Sequence, residues 1–324
     1  MRRAVGLLLV VLGAFLVTFA LLLRWWVPGH VIRFPLNEYS VRAFAGRDIT
    51  YFNRAALKEY TGVTVAAVQT LEGDVKSGTS STAVWGSFTA LEDQTHHVSI
   101  QNTSQRSAFN RRSGLLVDCC AAAIGSNTKV VQSGQGFVLP FGTQRRTYQI
   151  FDVTLLRPEP LTYAGTGTID GMAALKFVEH ITNDQFGEQT LPGPLVGMKD
   201  QATVTLPEFL TATNTYWVDP VTGRPIEVTL DQTISLEDNG GATRLVLLGG
   251  RLSQTPASVR SAVASARQDH ARIQLIEDTG PLIGILAGLI ALVLGIVLVW
   301  RSQQPWVADY DDDEVVDLTG RAGR

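Results

Sequence analysis

Two long apolar runs frame the chain, and between them the pattern changes to alternation. Residues 4–23, AVGLLLVVLGAFLVTFALLL, and residues 281–300, PLIGILAGLIALVLGIVLVW, are each twenty residues without a charge. At 1.5 Å rise per residue, roughly 20 helical residues match a hydrocarbon core about 30 Å thick. Trp25 and Trp26 follow the first run, and Trp300 and Trp306 close the second, where aromatic rings anchor a membrane interface. The first run is longer than the about 7–15 apolar residues of a signal peptide and continues into LLLRWWVPG with no small-x-small cleavage site, so an uncleaved anchor is expected. The second run lacks the polar stripe of a soluble helix. Both predict transmembrane helices.

Between them the period is two. In IEVTLDQTISLE, residues 226–237, Ile226, Val228, Leu230, Ile234 and Leu236 fall on one face and Glu227, Thr229, Asp231, Thr233, Ser235 and Glu237 on the other. That alternation predicts a strand with one buried face. Asp219–Gly223 supplies a turn before it. Asn239-Gly240, a favoured type I′ pair, follows it. Residues 213–250 are therefore expected to form a three-stranded antiparallel meander. Weaker alternation at 63–75, 82–93, 95–101, 146–156, 161–169 and 172–182 extends the pattern. Many strands at short spacing point to a mainly β fold, a large antiparallel sheet, half-barrel or sandwich. Residues 256–279 change character again. Thr255 suits an N-cap, Pro256 the first helical position, and the alanine content favours a stalk helix.

The organisation expected is an N-terminus at 1–3, a first transmembrane helix at 4–23 and a β-rich domain at 24–255. A stalk helix at 256–280, a second transmembrane helix at 281–300 and an acidic tail at 301–324 complete it. Arg2, Arg3 and Arg301 outside the spans place both termini in the cytoplasm by the Lys/Arg rule, with the bulk of the chain extracytoplasmic at the plasma membrane. The tail holds six acidic residues and two arginines after Arg301. Asp311, Asp312, Asp313 and Glu314 form a candidate interaction run. Without the tail the chain is nearly neutral, which gives no case for a nucleic-acid partner.

Candidate chemistry is sparse. Adjacent His96 and His97 on a strand would face opposite ways, and no HExxH or CxxC spacing appears, so no metal or cofactor is expected. GTGTIDG, residues 165–171, is glycine-rich, but no helix pattern follows it, and a β-turn is expected there. No G-x-S-x-G elbow occurs. A non-enzymatic role is the expectation. In the second span Gly280, Gly284 and Gly288 lie four apart, and in the first Gly6 and Gly13 lie seven apart on one face. Such glycines let helix backbones approach closely in lipid. The partner is either the other helix or a second copy of the chain.

The only cysteines, Cys119 and Cys120, are adjacent. Outside the cytoplasm they face an oxidising space. Two states stay open: buried free thiols packing as small apolar groups, or a vicinal disulfide across about 3.8 Å between Cα atoms.

The stretches QGFVLPFGTQRRTYQIFD (135–152), LTYAGTGTIDGMAALKF (161–177) and YWVDPVTGRPIEV (216–228), with an anchor at each end, resemble the actinobacterial two-helix membrane proteins grouped as the PorA family. The resemblance spans nearly the whole chain and implies a cell-envelope protein. It brings no catalytic motif. The YWVDPVTGRPIEV hairpin is also similar to a segment of periplasmic lipoprotein carriers, which hold acyl chains in a curved antiparallel sheet. A spanning β-barrel needs a lipid-facing apolar band on its strands, whereas the strand at 226–237 carries a polar face suited to water. The expected role is thus a membrane-anchored structural or assembly protein with an envelope partner or a second copy. A lipid- or glycolipid-binding module is the alternative, and a porin or channel component comes third.

Overall fold

A computed structural model describes residues 2–302. These fall into two compact units, a pair of apolar helices and a β-rich domain over His30–Gln274. The acidic run Asp311, Asp312, Asp313 and Glu314 lies outside the described residues.

In the helical unit α1 (Arg2–Trp25) is followed by a short α2 (Val27–Val31). Near the C-terminus α3 (Pro256–Gln274), which belongs to the β domain, leads through a π-helical turn at Leu275–Thr279 into α4 (Gly280–Arg301). Gly280-Pro281 could break or bend the chain by its sequence; helix continues through it, with the irregularity taken up by the π turn just before. Proline has no N–H and its ring clashes with the carbonyl one turn back, and the wider π turn just ahead of Pro281 absorbs that clash. Both α1 and α4 are long and apolar enough to cross a membrane. They pack antiparallel on each other. Their large side chains face outward, Leu8 and Val11 being 67% and 70% exposed.

The β domain is one antiparallel sheet of twelve strands. Its first wing is a meander of β1 (Tyr39–Asn53), β2 (Lys58–Gly73), β3 (Thr82–Asp93) and β4 (Val98–Asn110), edged by the short β5 (Leu116–Val117) and β6 (Ala123–Ile124). The second wing comprises β7 (Tyr148–Asp152), β8 (Arg157–Ile169), β9 (Met172–Pro192), β10 (Thr203–Val218), β11 (Pro225–Glu237) and β12 (Thr243–Gln254). The first and last long strands, β1 and β12, pair and join the wings. Bulges interrupt the register in β1, β9, β10 and β11, and such irregularities bend a sheet and raise its twist. The result is a half-barrel.

Between β6 and β7 an extended segment crosses from one sheet edge to the other. Leu116 of β5 donates to the Gly134 carbonyl at 2.8 Å, while Gln135 donates to Gln149 at 2.6 Å and accepts from Phe151 at 2.8 Å. Gly134 sits at φ 83°, and a Cβ there would meet the Gln149 carbonyl at 2.8 Å, so glycine is required. The same segment docks on the β10–β11 turn, where Leu139 donates to Gly223 at 2.8 Å. It covers part of the concave face with Phe137, Val138 and Leu139, and it builds the aromatic cluster of Phe34, Trp85 and Phe109 against Phe137 and Phe141. On another side α3 packs Val263 and Ala266 against Met172, Ala174 and Ile226. Thr255 caps it as expected, its Oγ1 accepting from the Ser258 amide at 3.3 Å.

The expected meander at 213–250 is present as β10, β11 and β12. Three local expectations need correction. Ile226 does not share a face with Val228: it packs under α3, while Val228 and Leu230 join a cluster of Phe44, Val65 and Leu91. Asn239-Gly240 does not form a two-residue type I′ turn. The loop is longer, the left-handed residue is Gly241 at φ 78°, and Asp238 Oδ1 accepts from the Gly240 and Ala242 amides at 2.9 and 3.0 Å. His96 and His97 lie in the turn before β4 rather than in a strand, because Asp93 accepts from the Thr95 and His96 amides and pulls the chain round.

Candidate ligand cavity

The side chains on the concave face alternate strand by strand, as the pleat demands, and enclose a cavity of about 290 Å³. This is near the lower end of the roughly 300–1,000 Å³ typical of small-molecule sites. β1 contributes Arg42 and Phe44, β2 Ala67, Gln69 and Leu71, β3 Thr89 and Leu91, and β4 Gln101, Thr103 and Gln105. From the second wing come Ile150 and Phe151, Leu161, Glu179, Asn214 with Tyr216 and Val218, Val228 with Leu230 and Gln232, and Leu248 with Leu252. The crossing segment closes one side with Phe137, Val138 and Leu139.

The wall is divided by polarity. Arg42 pairs across strands with Gln69, Gln69 with Thr89, and Thr89 with Thr103, so four polar side chains form a row across the first wing. Phe44, Ala67, Leu71 and Leu91 flank that row, and the second wing and the crossing segment present mainly aliphatic and aromatic groups, with Asn214 and Gln232 among them. Two carboxyl groups break that apolar half. Glu179 is 1% exposed; its Oε2 accepts from Asn214 Nδ2 at 2.8 Å, and its Oε1 has no partner among the described residues. Burial pushes its pKa up to about 7, against the opposing hydrogen bond from Asn214 and with help from Asp152 and Glu159. Burial also raises Asp152, whose Oδ1 nonetheless accepts from the Thr154 and Leu155 amides at 2.8 and 2.7 Å.

Around Arg42 the arrangement is different. Its guanidinium donates to the Pro225 carbonyl at 3.2 Å and forms no ion pair among the described residues. Glu38 nearby is gripped at both oxygens by Arg224, at 3.0 and 2.8 Å. Arg224 also lies 3.5 Å from Asp269 of α3. Burial, and then the neighbouring Arg224, lower the Arg42 pKa to about 10, which leaves it cationic at neutral pH.

The residues singled out from sequence lie elsewhere. Cys119 and Cys120 form a disulfide in the turn between β5 and β6. Cys119 is exposed and Cys120 half-buried, so they are not the buried thiols of the alternative. The turn passes through two left-handed residues, Cys120 at φ 62° and Ala121 at φ 58°, and Arg106 Nε donates to the Cys120 carbonyl at 3.2 Å. The glycines form a seam between α1 and α4. A Cβ on Gly13 would meet the Gly288 carbonyl at 2.7 Å, one on Gly284 the Ala20 Cβ at 3.0 Å, and one on Gly6 the Gly295 carbonyl at 3.0 Å. The helix partner is therefore the chain's own first span. Gly280 is a correction: it stands outside the seam, against the Leu275 carbonyl of the π turn. Gly295 takes the place the four-residue spacing gave to Gly280. A seven-residue recurrence, Pro281, Gly288 and Gly295 against Gly6, Gly13 and Ala20, is the signal in the sequence that could have found it. Arg42 and Glu179 had no such signal, because their neighbours are far away in sequence.

A β half-barrel with this cavity on its concave face and a terminal pair of membrane-capable helices defines a membrane-associated protein. The profile of the family described as Porin PorA matches residues 5–297, and the chain belongs to that family. No curated protein matches it.

Proposed function

We propose that the protein is a two-pass membrane protein, both termini cytoplasmic, that holds an amphiphile in its extracytoplasmic half-barrel without catalysing a reaction. The single observation that carries this proposal is the concave cavity, in which a polar row across the first wing lies beside a largely apolar wall. A filled core would suit a purely structural role in envelope assembly; a cavity divided by polarity suits a molecule that is itself divided. Two apolar helices would keep such a domain at a membrane surface, where amphiphiles are concentrated. Mass spectrometry of lipids retained by the full-length chain after purification tests it. A stoichiometric amphiphile is expected, and a chain free of lipid after mild extraction would count against it.

The family's description favours one further function, conduction. Against it, the outer face of the second wing is polar. Thr162, Thr166 and Thr168 of β8, His180 and Thr182 of β9, and Thr211 and Thr213 of β10 are all exposed. A spanning barrel would show an apolar band there. Planar-bilayer recording on the full-length chain is expected to give no discrete conductance steps, and steps that disappear on deleting the β domain would reverse this preference.

A further inference from the structure

Resting on the amphiphile proposal, we infer that the ligand carries an anionic head group, and that Arg42 of β1 is the side chain that binds it. Three observations converge. Arg42 lines the cavity, yet its one hydrogen bond goes to a carbonyl, leaving most of the five N–H donors of a guanidinium without a protein acceptor. The nearest carboxylate, Glu38, is already occupied at both oxygens by Arg224. Neither acid of the wall pairs with Arg42: Asp152 accepts from the Thr154 and Leu155 amides and Glu179 from Asn214. A cation kept in a partly dry cavity is costly unless something pairs with it. A phosphate or carboxylate fits the planar fork of arginine.

The neighbours of Arg42 complete a head-group shelf. Gln69, Thr89 and Thr103 follow it across the sheet and offer amide and hydroxyl groups to the polar remainder of the head. Val138, Leu139, Val218, Leu230 and Leu252 then supply the surface for an acyl chain. A free inorganic anion would use the shelf and leave that surface bare. The ligand is accordingly an anionic lipid or fatty acid rather than a small anion.

The test uses the full-length chain in nanodiscs of zwitterionic lipid, labelled by a photoreactive dodecyl probe and challenged with competitors. Dodecyl phosphate should protect the cavity at about tenfold lower concentration than dodecyl glucoside, the least that a charge-assisted hydrogen bond confers. Arg42→Gln should abolish that preference by weakening protection by dodecyl phosphate far more than protection by dodecyl glucoside, and Arg42→Lys should keep part of it. Equal protection by both competitors in the native chain overturns the anionic assignment and leaves the amphiphile cavity standing. Protection by neither removes the cavity proposal itself. Inorganic phosphate protecting as well as dodecyl phosphate would make this a free-anion site and overturn the lipid assignment. Should Arg42→Gln fail to fold, the preference of the native chain decides alone.

Discussion

The helical pair and the β domain use the same residue types in opposite ways. In the helical pair the large aliphatic side chains face outward and the contact is made by Gly6, Gly13, Ala20, Gly284, Gly288 and Gly295. In the β domain the large side chains turn inward, with Trp85, Phe34, Phe109 and Phe177 fully buried. The difference follows from the solvent each unit meets. Lipid tails are as apolar as leucine, so helices in a membrane gain from close backbone approach and not from hiding apolar surface. Water rewards burial by about 25 cal/mol per Å² of apolar surface. Each unit is stable for a reason the other does not share, and perturbations should separate them.

The largest effect is expected from Trp85→Ala. Trp85 stacks edge-on with Phe34 and Phe109, and its indole N–H donates to the Pro35 carbonyl at 3.0 Å. Its loss should cost the β domain about 3–5 kcal/mol, read as a collapse of protease resistance in that domain while the helical pair stays intact. Next comes a pH effect confined to the β domain. Because Glu179 binds its proton more tightly when folded, up to about pH 7 against an ordinary 4.5, the folded state holds more protons than the unfolded one between those values. Stability should therefore fall as pH rises from about 4.5 to 7, by roughly 3 kcal/mol in all, and then level off. Glu179→Gln should remove that slope in chemical denaturation between pH 5 and 8; an unchanged slope would assign it to other groups.

Gly288→Leu probes the other unit. Its Cβ would lie 2.8 Å from Val17 and 2.9 Å from the Gly13 carbonyl, so the helices must separate, at about 1–3 kcal/mol. Disulfide trapping between cysteines placed on α1 and α4 should drop sharply, whereas Ile290→Ala, on the outward face, should leave it unchanged. Equal trapping in both variants would break the claim that small residues make the contact. The smallest effect is expected from reducing Cys119–Cys120. Adjacent residues enclose almost no chain, so the bond restricts the unfolded state little, by about 1 kcal/mol or less. The melting temperature of the β domain should barely move on reduction.

Legibility in the sequence divided along similar lines. Spans, meander and stalk could be read because their signals are local: twenty uncharged residues, strict alternation in IEVTLDQTISLE, a threonine-proline start at Thr255-Pro256. β1, the strand that joins the two wings, escaped notice, since its bulge at Ala45–Thr50 breaks the alternation. The crossing segment at Gly134–Leu139 has no periodicity at all, because its hydrogen bonds go to two different strands. The cavity was legible only as a condition on the fold. Arg42 meets Pro225 across 183 positions of sequence, and Glu179 meets Asn214 only through the β9–β10 register. A cysteine pair draws the eye in a sequence and proves peripheral, while an arginine inside an ordinary SVRAFAG strand becomes the candidate ligand-binding residue.

The most direct test of the central claim is to map where an acyl chain sits. A fatty acid with a photoreactive group near its end, added to the full-length chain in nanodiscs and followed by peptide mass spectrometry, should mark the crossing segment, β10, β11 and β12 at Leu139, Val218, Leu230 and Leu252. Adducts confined to α1, α4 and the outward threonines of β8 and β10 would mean that the half-barrel holds no amphiphile.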